Sequence, residues 1–167
     1  MAKKTSAGIV LYRIRREILE VFLVHPGGPY WAKKDAGAWS IPKGEFEEGA
    51  DPLETAKREF HEETGAVING ALIELTPLRQ SSGKLIYGWA VSGDIDASSI
   101  KSNMFSMEWP PRSGKKQEFP EVDRGGWFTV PQALEKLLPG QHGFLDELEK
   151  KLASAASINQ SSRSPPS

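Results

Sequence analysis

The 167-residue sequence contains no cysteine, only three histidines and no long hydrophobic run. Without cysteine the chain can form no disulfide, no zinc–thiolate site and no thiol nucleophile. The apolar run near the N-terminus ends at Arg13 after about five residues, which is too short for a signal peptide or a membrane span. We therefore expect a cytoplasmic protein.

The short motifs of several large enzyme classes are also missing. The sequence has no G-x-S-x-G, no Walker A motif and no G-x-G-x-x-G. These absences argue against a serine hydrolase, a P-loop NTPase and a dinucleotide-binding enzyme, because each of those chemistries depends on its own glycine-containing turn.

The net charge is −1, so the chain lacks the positive excess typical of proteins that bind nucleic acids or membrane surfaces. We expect a small-molecule partner, no membrane or stable nucleic-acid partner, and a monomer or homodimer. Between residues 44 and 63, however, eight acids stand against two bases, a local balance of −6. This concentration of acid fits a bound cation with an anionic ligand, and it also fits an ordinary charged surface.

The hydrophobic pattern predicts strands interleaved with helices, which is typical of a mixed α/β (α+β) sheet covered on both faces. We expect one domain over residues 1–155 and a disordered polar tail over 156–167. The expected strands are 6–14, 18–25, 71–80, 84–93 and 127–130; the expected helices are 52–64, 131–138 and 144–155; the expected loops are 26–39 and 104–126, with an irregular segment over 40–50.

The helix over residues 52–64 is the best marked of these elements. Asp51 and Pro52 suit its start, and Gly65 suits the left-handed position that ends a helix. On this helix three glutamates form one stripe beside the core-facing side, although like charges at this spacing repel. The stripe is either a solvated acidic face or a site for a hard divalent cation such as Mg²⁺ or Mn²⁺, since the only ligands are oxygens. Its members are Glu59, Glu62 and Glu63, and Arg58 is expected to pair with Glu54 and Glu62.

Residues 44–66, GEFEEGADPLETAKREFHEETGA, resemble the Nudix box, G-x5-E-x7-R-E-U-x-E-E-x-G-U, in which U is a bulky aliphatic residue. The segments SAGIVLYR and WSIPKGEFEEG extend the resemblance to about residues 5–150. The cues are most similar to the small bacterial nucleoside triphosphate pyrophosphohydrolases and the diadenosine tetraphosphate hydrolases. Ala50 departs from the pattern, because the family has a glutamate there. The positions that match in register are Gly44, Arg58, Glu59, Glu62, Glu63 and Gly65.

The resemblance implies a Nudix-type α/β/α sandwich with a mixed sheet and a loop–helix–loop box. It also implies hydrolysis of a nucleoside diphosphate linked to another group, with one to three Mg²⁺ or Mn²⁺ ions. Glu59 and Glu63 are the expected metal ligands, Glu62 a further ligand or catalytic group, and Gly44 a source of a backbone carbonyl. Arg58 is expected to orient the glutamates through ion pairs.

The general base and the substrate contacts are less defined by the resemblance. Family members use either a box glutamate or an acid from a later loop, for which Glu121, and after it Glu118, are the local candidates. The absent box glutamate at Ala50 leaves a non-catalytic nucleotide sensor open, and an RNA 5′-pyrophosphohydrolase is a further alternative. The expected substrate contacts are Lys33, Lys34, Lys43, Arg112, Lys115, Lys116, Trp31 and Trp109.

Overall fold

The structure, a computed structural model, describes the backbone of residues 5–162 and the side chains of residues 5–156. Its strands are β1 (Thr5–Arg15), β2 (Ile18–Pro26), β3 (Lys43–Phe46), β4 (Leu72–Arg79), β5 (Leu85–Ser92), β6 (Met104–Glu108), β7 (Lys116–Pro120) and β8 (Val122–Thr129). Its helices are α1 (Pro52–Thr64), α2 (Val130–Lys136) and α3 (His142–Ser162). In this described part, no helix is long and apolar enough to cross a membrane.

The main sheet is mixed and has the strand order β4-β5-β1-β2-β8. Its central strand β1 runs parallel to β5 and antiparallel to β2. The first residues of β1 pair with β3, and its last residues pair with β2. Because β1 is buried on both faces over residues 6–12, it reads as a nearly continuous apolar run rather than an alternating one.

Helices cover both faces of this sheet. Ala56 and Phe60 of α1 join one buried cluster with β1 residues such as Ile9. On the other face, Ala133 of α2 and Leu145 of α3 join a second cluster. The expected mixed sheet between helical layers is therefore confirmed.

The prediction of a loop over 104–126 is wrong for most of its length. β6 and β7 form a separate two-stranded antiparallel sheet in which Phe105 lies opposite Phe119, with ring centroids 6.0 Å apart. Two prolines and Gly114 in the connection concealed this hairpin, as did the charged residues of β7. β8 also begins earlier than expected, at Val122, and β3 lies within the segment expected to be irregular.

The helix ends differ in how well the sequence predicted them. α1 has the predicted bounds: Asp51 accepts a hydrogen bond from the Leu53 amide at 3.1 Å, and Gly65 has φ +80°. α3 continues to Ser162, beyond the expected end at 155. Residues 163–167 of the expected disordered tail lie outside the described residues, and the disorder stays a prediction.

Candidate active site

Three glutamates of α1 lie at the margin of the buried face, as their spacing predicted. Ala56 and Phe60 point into the core, and the glutamates are partly exposed beside them. The exposed fraction of the side chain is 14% for Glu59 and 34% for Glu62. Partial burial of an acid disfavours its charged form. Accordingly, desolvation and the neighbouring Glu62 charge raise the pKa of Glu59.

Arg58 is the cation nearest to this stripe. Its Nη2 lies 3.4 Å from Glu59 Oε1, and its Nε lies 3.7 Å from Glu62 Oε1. Glu54, the other expected partner of Arg58, instead lies 3.6 Å from Lys57 Nζ. Because the Arg58 side chain is 59% exposed, these ion pairs neutralise the glutamates only weakly.

Glu63 is the most perturbed acid of the site. Burial raises its pKa to about 8, and the charges of Glu59 and Glu121 act in the same direction. Its Oε2 accepts a hydrogen bond from the Lys43 amide at 3.1 Å, which partly offsets the burial. Desolvation also acts on the Lys43 ammonium and lowers its pKa. Glu63 and Lys43 thus lie in a partly desolvated environment, where the charge of each group acts on the pKa of the other.

Gly44 lies against the Glu59 carboxylate. A Cβ atom at Gly44 would be 2.0 Å from Glu59 Cδ, which is closer than atoms can approach. The box glycine therefore allows β3 and the acidic side of α1 to meet.

Glu121 belongs to the same cluster, although it is distant in sequence. Desolvation and the Glu62 charge raise its pKa. Its position is set by backbone hydrogen bonds: the Asn103 amide donates to the Glu62 carbonyl at 2.9 Å, and the Glu121 amide donates to the Asn103 carbonyl at 2.8 Å. The Gly27 amide then donates to the Glu121 carbonyl at 3.0 Å. We call Glu59, Glu62, Glu63 and Glu121 the acid cluster.

A pocket of about 220 Å³ adjoins this cluster. Glu63, Glu121 and Lys43 line it together with Trp31. Most of its other lining side chains are apolar, so it combines an aromatic and apolar wall with two acids and one amine. A pocket of this composition suits a ligand that has both a flat ring and a charged end.

The β6–β7 hairpin supports the loop that carries Trp31. We call residues 27–39 the Trp31 loop. A Cβ atom at Gly27 would lie 1.9 Å from the Pro120 carbonyl oxygen, so loop and hairpin touch closely there. The Tyr30 and Trp109 rings meet edge to face with centroids 5.3 Å apart. Trp109, which was expected to contact substrate, contacts this loop.

The remaining predicted contacts lie farther out. Lys33 and Lys34 are exposed in the Trp31 loop, and Lys34 Nζ lies 5.0 Å from the centre of the Trp31 ring. Glu118 is exposed on β7 opposite Ser106, rather than among the residues that line the pocket. The exposed cations Arg112, Lys115 and Lys116 lie at or beside the hairpin turn.

The donor chemistry of the acid cluster fits a hard divalent cation, because carboxylate oxygens are the ligands that Mg²⁺ and Mn²⁺ prefer. Within the described side chains, however, no three acids or histidines converge as a ready-made metal site. Glu63 accepts a hydrogen bond from the Lys43 amide, while Glu59 and Glu62 pair with Arg58. Glu59, Glu62 and Glu63 are the side chains whose oxygens would hold such an ion.

A pair formed by a buried histidine and a partly exposed aspartate beside the pocket had no sequence signal. His25 is fully buried, and its Nδ1 lies 2.8 Å from Asp123 Oδ1. The two residues are 98 positions apart, and no spacing rule connects them. Only the pairing of β2 with β8 brings them together.

The model of the NUDIX domain family matches residues 2–148 of the sequence. The chain belongs to the Nudix family. Enzymes of this family generally use divalent metal ions. Family and fold together support a Nudix pyrophosphohydrolase, as the sequence predicted.

Solved Nudix structures share the fold at low sequence identity. The Ap4A hydrolase of C. elegans, solved as a binary complex, is 18% identical with a TM-score of 0.63, covering 90% of this chain and 98% of that one. The NUDIX domain of Shewanella oneidensis NrtR, solved with ADP ribose, is 18% identical with a TM-score of 0.58, covering 92% and 90%. A mutT/nudix family protein from Listeria innocua is 16% identical with a TM-score of 0.58, covering 96% and 98%.

Proposed function

We propose that the protein is a divalent-metal-dependent hydrolase that cleaves a pyrophosphate linkage in a nucleoside diphosphate bonded to another group. A nucleoside triphosphate or a dinucleoside polyphosphate is the proposed substrate. The supporting observation is that the acid cluster borders a pocket lined by Trp31 and Lys43. A flat aromatic surface suits a base, an amine suits a phosphate, and clustered carboxylates suit the metal ions that accompany phosphates.

In the proposed reaction, an oxygen atom of water forms a bond to one phosphorus, and the bond from that phosphorus to the bridging oxygen breaks. Glu59, Glu62 and Glu63 would hold one to three Mg²⁺ or Mn²⁺ ions, with the Gly44 carbonyl as a further ligand. When bound, the ions supply an acidified water and neutralise charge on the phosphates. Arg58 orients Glu59 and Glu62 through the ion pairs described above.

Glu121 is the proposed general base and accepts the proton of the attacking water. Its raised pKa makes it a better proton acceptor than an ordinary glutamate at neutral pH. Glu62 is the alternative base, since it lies close enough to Glu121 for its charge to raise the pKa of that acid. Glu118 is less suited, because it is not among the residues that line the pocket, whereas Glu121 is. The departing phosphate oxygen takes up a proton from solvent.

We divide the proposed substrate contacts into residues that line the pocket and residues that lie outside it. Trp31 would stack on the base, and Lys43 would bind a phosphate beside Glu63. Lys33, Lys34, Arg112 and Lys115 would attract the polyphosphate from outside the pocket through their charge.

The direct test is hydrolysis of a nucleotide panel with Mg²⁺ or Mn²⁺. Glu62→Gln should lower kcat at least about tenfold, or ~1.4 kcal/mol, because it removes one charge from the metal-binding set. Glu54→Gln is the matched control, since Glu54 lies on the same helix and contacts only Lys57 among the ion pairs of α1. Turnover that resists both EDTA and Glu62→Gln would contradict the proposal. Product analysis in ¹⁸O water identifies the phosphorus attacked.

A second candidate is a nucleotide sensor without turnover. Ala50 in place of the box glutamate favours it, whereas the intact Glu59, Glu62 and Glu63 oppose it. Micromolar nucleotide binding with no hydrolysis across the panel would select the sensor. The third alternative, an RNA 5′-pyrophosphohydrolase, is tested by adding a triphosphorylated RNA to the same panel of substrates.

The biological setting is proposed from the sequence. We place the protein in the cytoplasm as a single Nudix domain over residues 1–155 that takes small nucleotides. Its monomeric or homodimeric state can be measured by light scattering.

A further inference from the structure

His25 occupies a junction between three parts of the structure that border the pocket. It lies on β2 between Val24 and Pro26, both of which line the pocket, and its own side chain is fully buried. Its Nδ1 lies 2.8 Å from Asp123 Oδ1 on β8. Its Nε2 lies 2.6 Å from the carbonyl oxygen of Lys34 in the Trp31 loop. One imidazole therefore connects β2, β8 and the loop.

Both partners of the ring are hydrogen-bond acceptors. A backbone carbonyl can only accept, and the ionised carboxylate of Asp123 also can only accept. Both bonds can therefore exist together only when both ring nitrogens carry a proton. The ring is then an imidazolium whose charge is balanced by Asp123. A neutral ring can keep only one of the two hydrogen bonds.

Trp39 lies next to the His25 ring and contacts two further charged residues, Arg124 and Asp35. The His25 and Trp39 rings meet edge to face with centroids 5.2 Å apart. The Arg124 guanidinium lies 5.3 Å from the centre of the Trp39 ring. Asp35 accepts a hydrogen bond from Trp39 Nε1 at 2.8 Å and also pairs with Lys136. The charged groups that face this part of the site are therefore two acids, Asp35 and Asp123, and two bases, Arg124 and Lys136.

The bond to Lys34 fixes the part of the loop that carries Trp31. The Lys34 amide donates to the Trp31 carbonyl at 3.0 Å, and the Trp31 amide donates to the Gly28 carbonyl at 3.3 Å. Lys34 is therefore the end of a short hydrogen-bonded turn, and its carbonyl attaches that turn to His25. Asp35, the next residue, is attached separately to Trp39 and Lys136, so the bond to His25 is the one that attaches the turn carrying Trp31 to β2.

We propose that His25 is a positioning residue: as an imidazolium bonded to Asp123 and to the Lys34 carbonyl, it fixes the Trp31 loop over the pocket and thereby sets substrate affinity. His25 is not among the residues that line the pocket, so it acts through Trp31 rather than on the substrate. The effect on affinity rests on the proposed function, whereas the effect on the loop does not.

Two substitutions separate the two hydrogen bonds of the ring. In His25→Gln the side-chain amide reaches the place of Nε2, so it can still donate to the Lys34 carbonyl while the bond to Asp123 is lost. In His25→Asn the amide reaches only the place of Nδ1, so it keeps the bond to Asp123 and loses the loop. The two variants remove the same ring and differ in which partner they retain.

Hydrogen exchange of the free protein tests the loop directly. In His25→Asn the amides of Trp31 and Lys34 should exchange about tenfold faster or more, because the loop has lost a charge-assisted bond. In His25→Gln they should stay within about threefold of wild type. The amides of β1 and β5 should be unchanged in both. Equal exchange of the loop in the two variants, whether slow or fast, would overturn the proposal.

Asp123→Asn provides a further measurement that keeps the shape of the site. Asparagine still offers an accepting oxygen opposite Nδ1 but no charge, and the bond from Nε2 to the Lys34 carbonyl remains possible. The amides of Trp31 and Lys34 should therefore exchange within about threefold of wild type in Asp123→Asn, as in His25→Gln. Exchange of the loop as fast as in His25→Asn would overturn the proposal.

Steady-state kinetics then connect the loop to the substrate. His25→Asn should raise KM about tenfold with kcat nearly unchanged, and His25→Gln should leave both near wild type. A released loop with an unchanged KM would overturn the inference while leaving the hydrolase intact. If wild type hydrolyses no nucleotide, the proposed function fails, and hydrogen exchange alone still decides whether His25 holds the loop.

Discussion

At the scale of single residues, the acid cluster depends on Gly44, which has no side chain. Gly44 allows β3 to lie directly against Glu59, because a Cβ atom there would overlap Glu59 Cδ. Glycine is required at this position by the close approach of a neighbour, and not by an unusual backbone angle. The identity of residue 44 therefore controls where a proposed metal ligand can stand.

Gly44→Ala should lower the affinity for Mn²⁺ and reduce kcat about tenfold or more, because Glu59 must move away from the cluster. The thermal midpoint should fall by only a few degrees, since Glu59 is a partly exposed side chain that can move. Gly140→Ala is the control: a Cβ atom there would lie 3.3 Å from Gln80 Cγ, a flexible neighbour. Metal titration and turnover of the two variants give the comparison. Equal effects would contradict the role of Gly44.

Ala50 raises a separate question of charge. A cavity of about 520 Å³ adjoins it, lined also by Glu47, Thr55 and Arg58. The cavity has room for a longer side chain at position 50. We expect Ala50→Glu to leave the affinity for Mg²⁺ or Mn²⁺ unchanged or to increase it, as measured by titration calorimetry. A marked loss of affinity would mean that the ion is bound by a different set of residues.

At the scale of elements, α1 and the β6–β7 hairpin represent opposite cases. The bounds of α1 follow from its own residues: Asp51 accepts from the first turn, and Gly65 takes the left-handed conformation. The hairpin is held by contacts outside itself, including Tyr30 on Trp109 and Pro120 against Gly27. Local sequence therefore predicted the helix and missed the hairpin.

Trp109→Ala should raise KM about three- to tenfold with little change in kcat, because it removes the ring that supports Tyr30 and with it the Trp31 loop. Met104→Ala is a suitable control, since Met104 lies on the same hairpin and is 52% exposed. Steady-state kinetics on one nucleotide suffice. A fall in kcat alone would place Trp109 in the chemistry instead.

At the scale of the whole molecule, an almost neutral chain carries four mutually repelling carboxyl groups at one end of a pocket. The pKa of Glu63 is raised to about 8 from an ordinary 4.5, and the pKa values of Glu59 and Glu121 are also raised. Over this range the folded state binds more protons than the unfolded state. The metal-free protein should therefore lose stability as the pH rises from about 4.5 to about 8.

Urea unfolding in EDTA at pH 5.5 and pH 8 measures this effect. The free energy of unfolding should be lower at pH 8, and Glu63→Gln should reduce the difference because the titrating group is gone. Added Mn²⁺ should restore stability at pH 8, since the ion replaces the proton among the carboxylates. Stability that is flat or rises over this range without metal would contradict the raised pKa of Glu63.

The sequence predicted the acidic residues of the site better than it predicted the segments that surround the pocket. Glu59, Glu62 and Glu63 fall on one face because helix geometry repeats, and Glu121 was expected near them from the resemblance. The partners of His25 and the supports of the Trp31 loop come from distant segments, and only the strand order β1-β2-β8 brings them together. Local patterns define an element's faces, whereas the order of strands in the sheet defines which elements meet.

The backbone bonds that run from Glu62 through Asn103 to Glu121 have a consequence for protein engineering. Because only main-chain atoms take part, the exposed side chain of Asn103 is free to vary while the spacing of the two acids is preserved. A library at this position would change the surroundings of the reaction without moving its acids. Proline is the exception, since it has no amide hydrogen to donate to the Glu62 carbonyl.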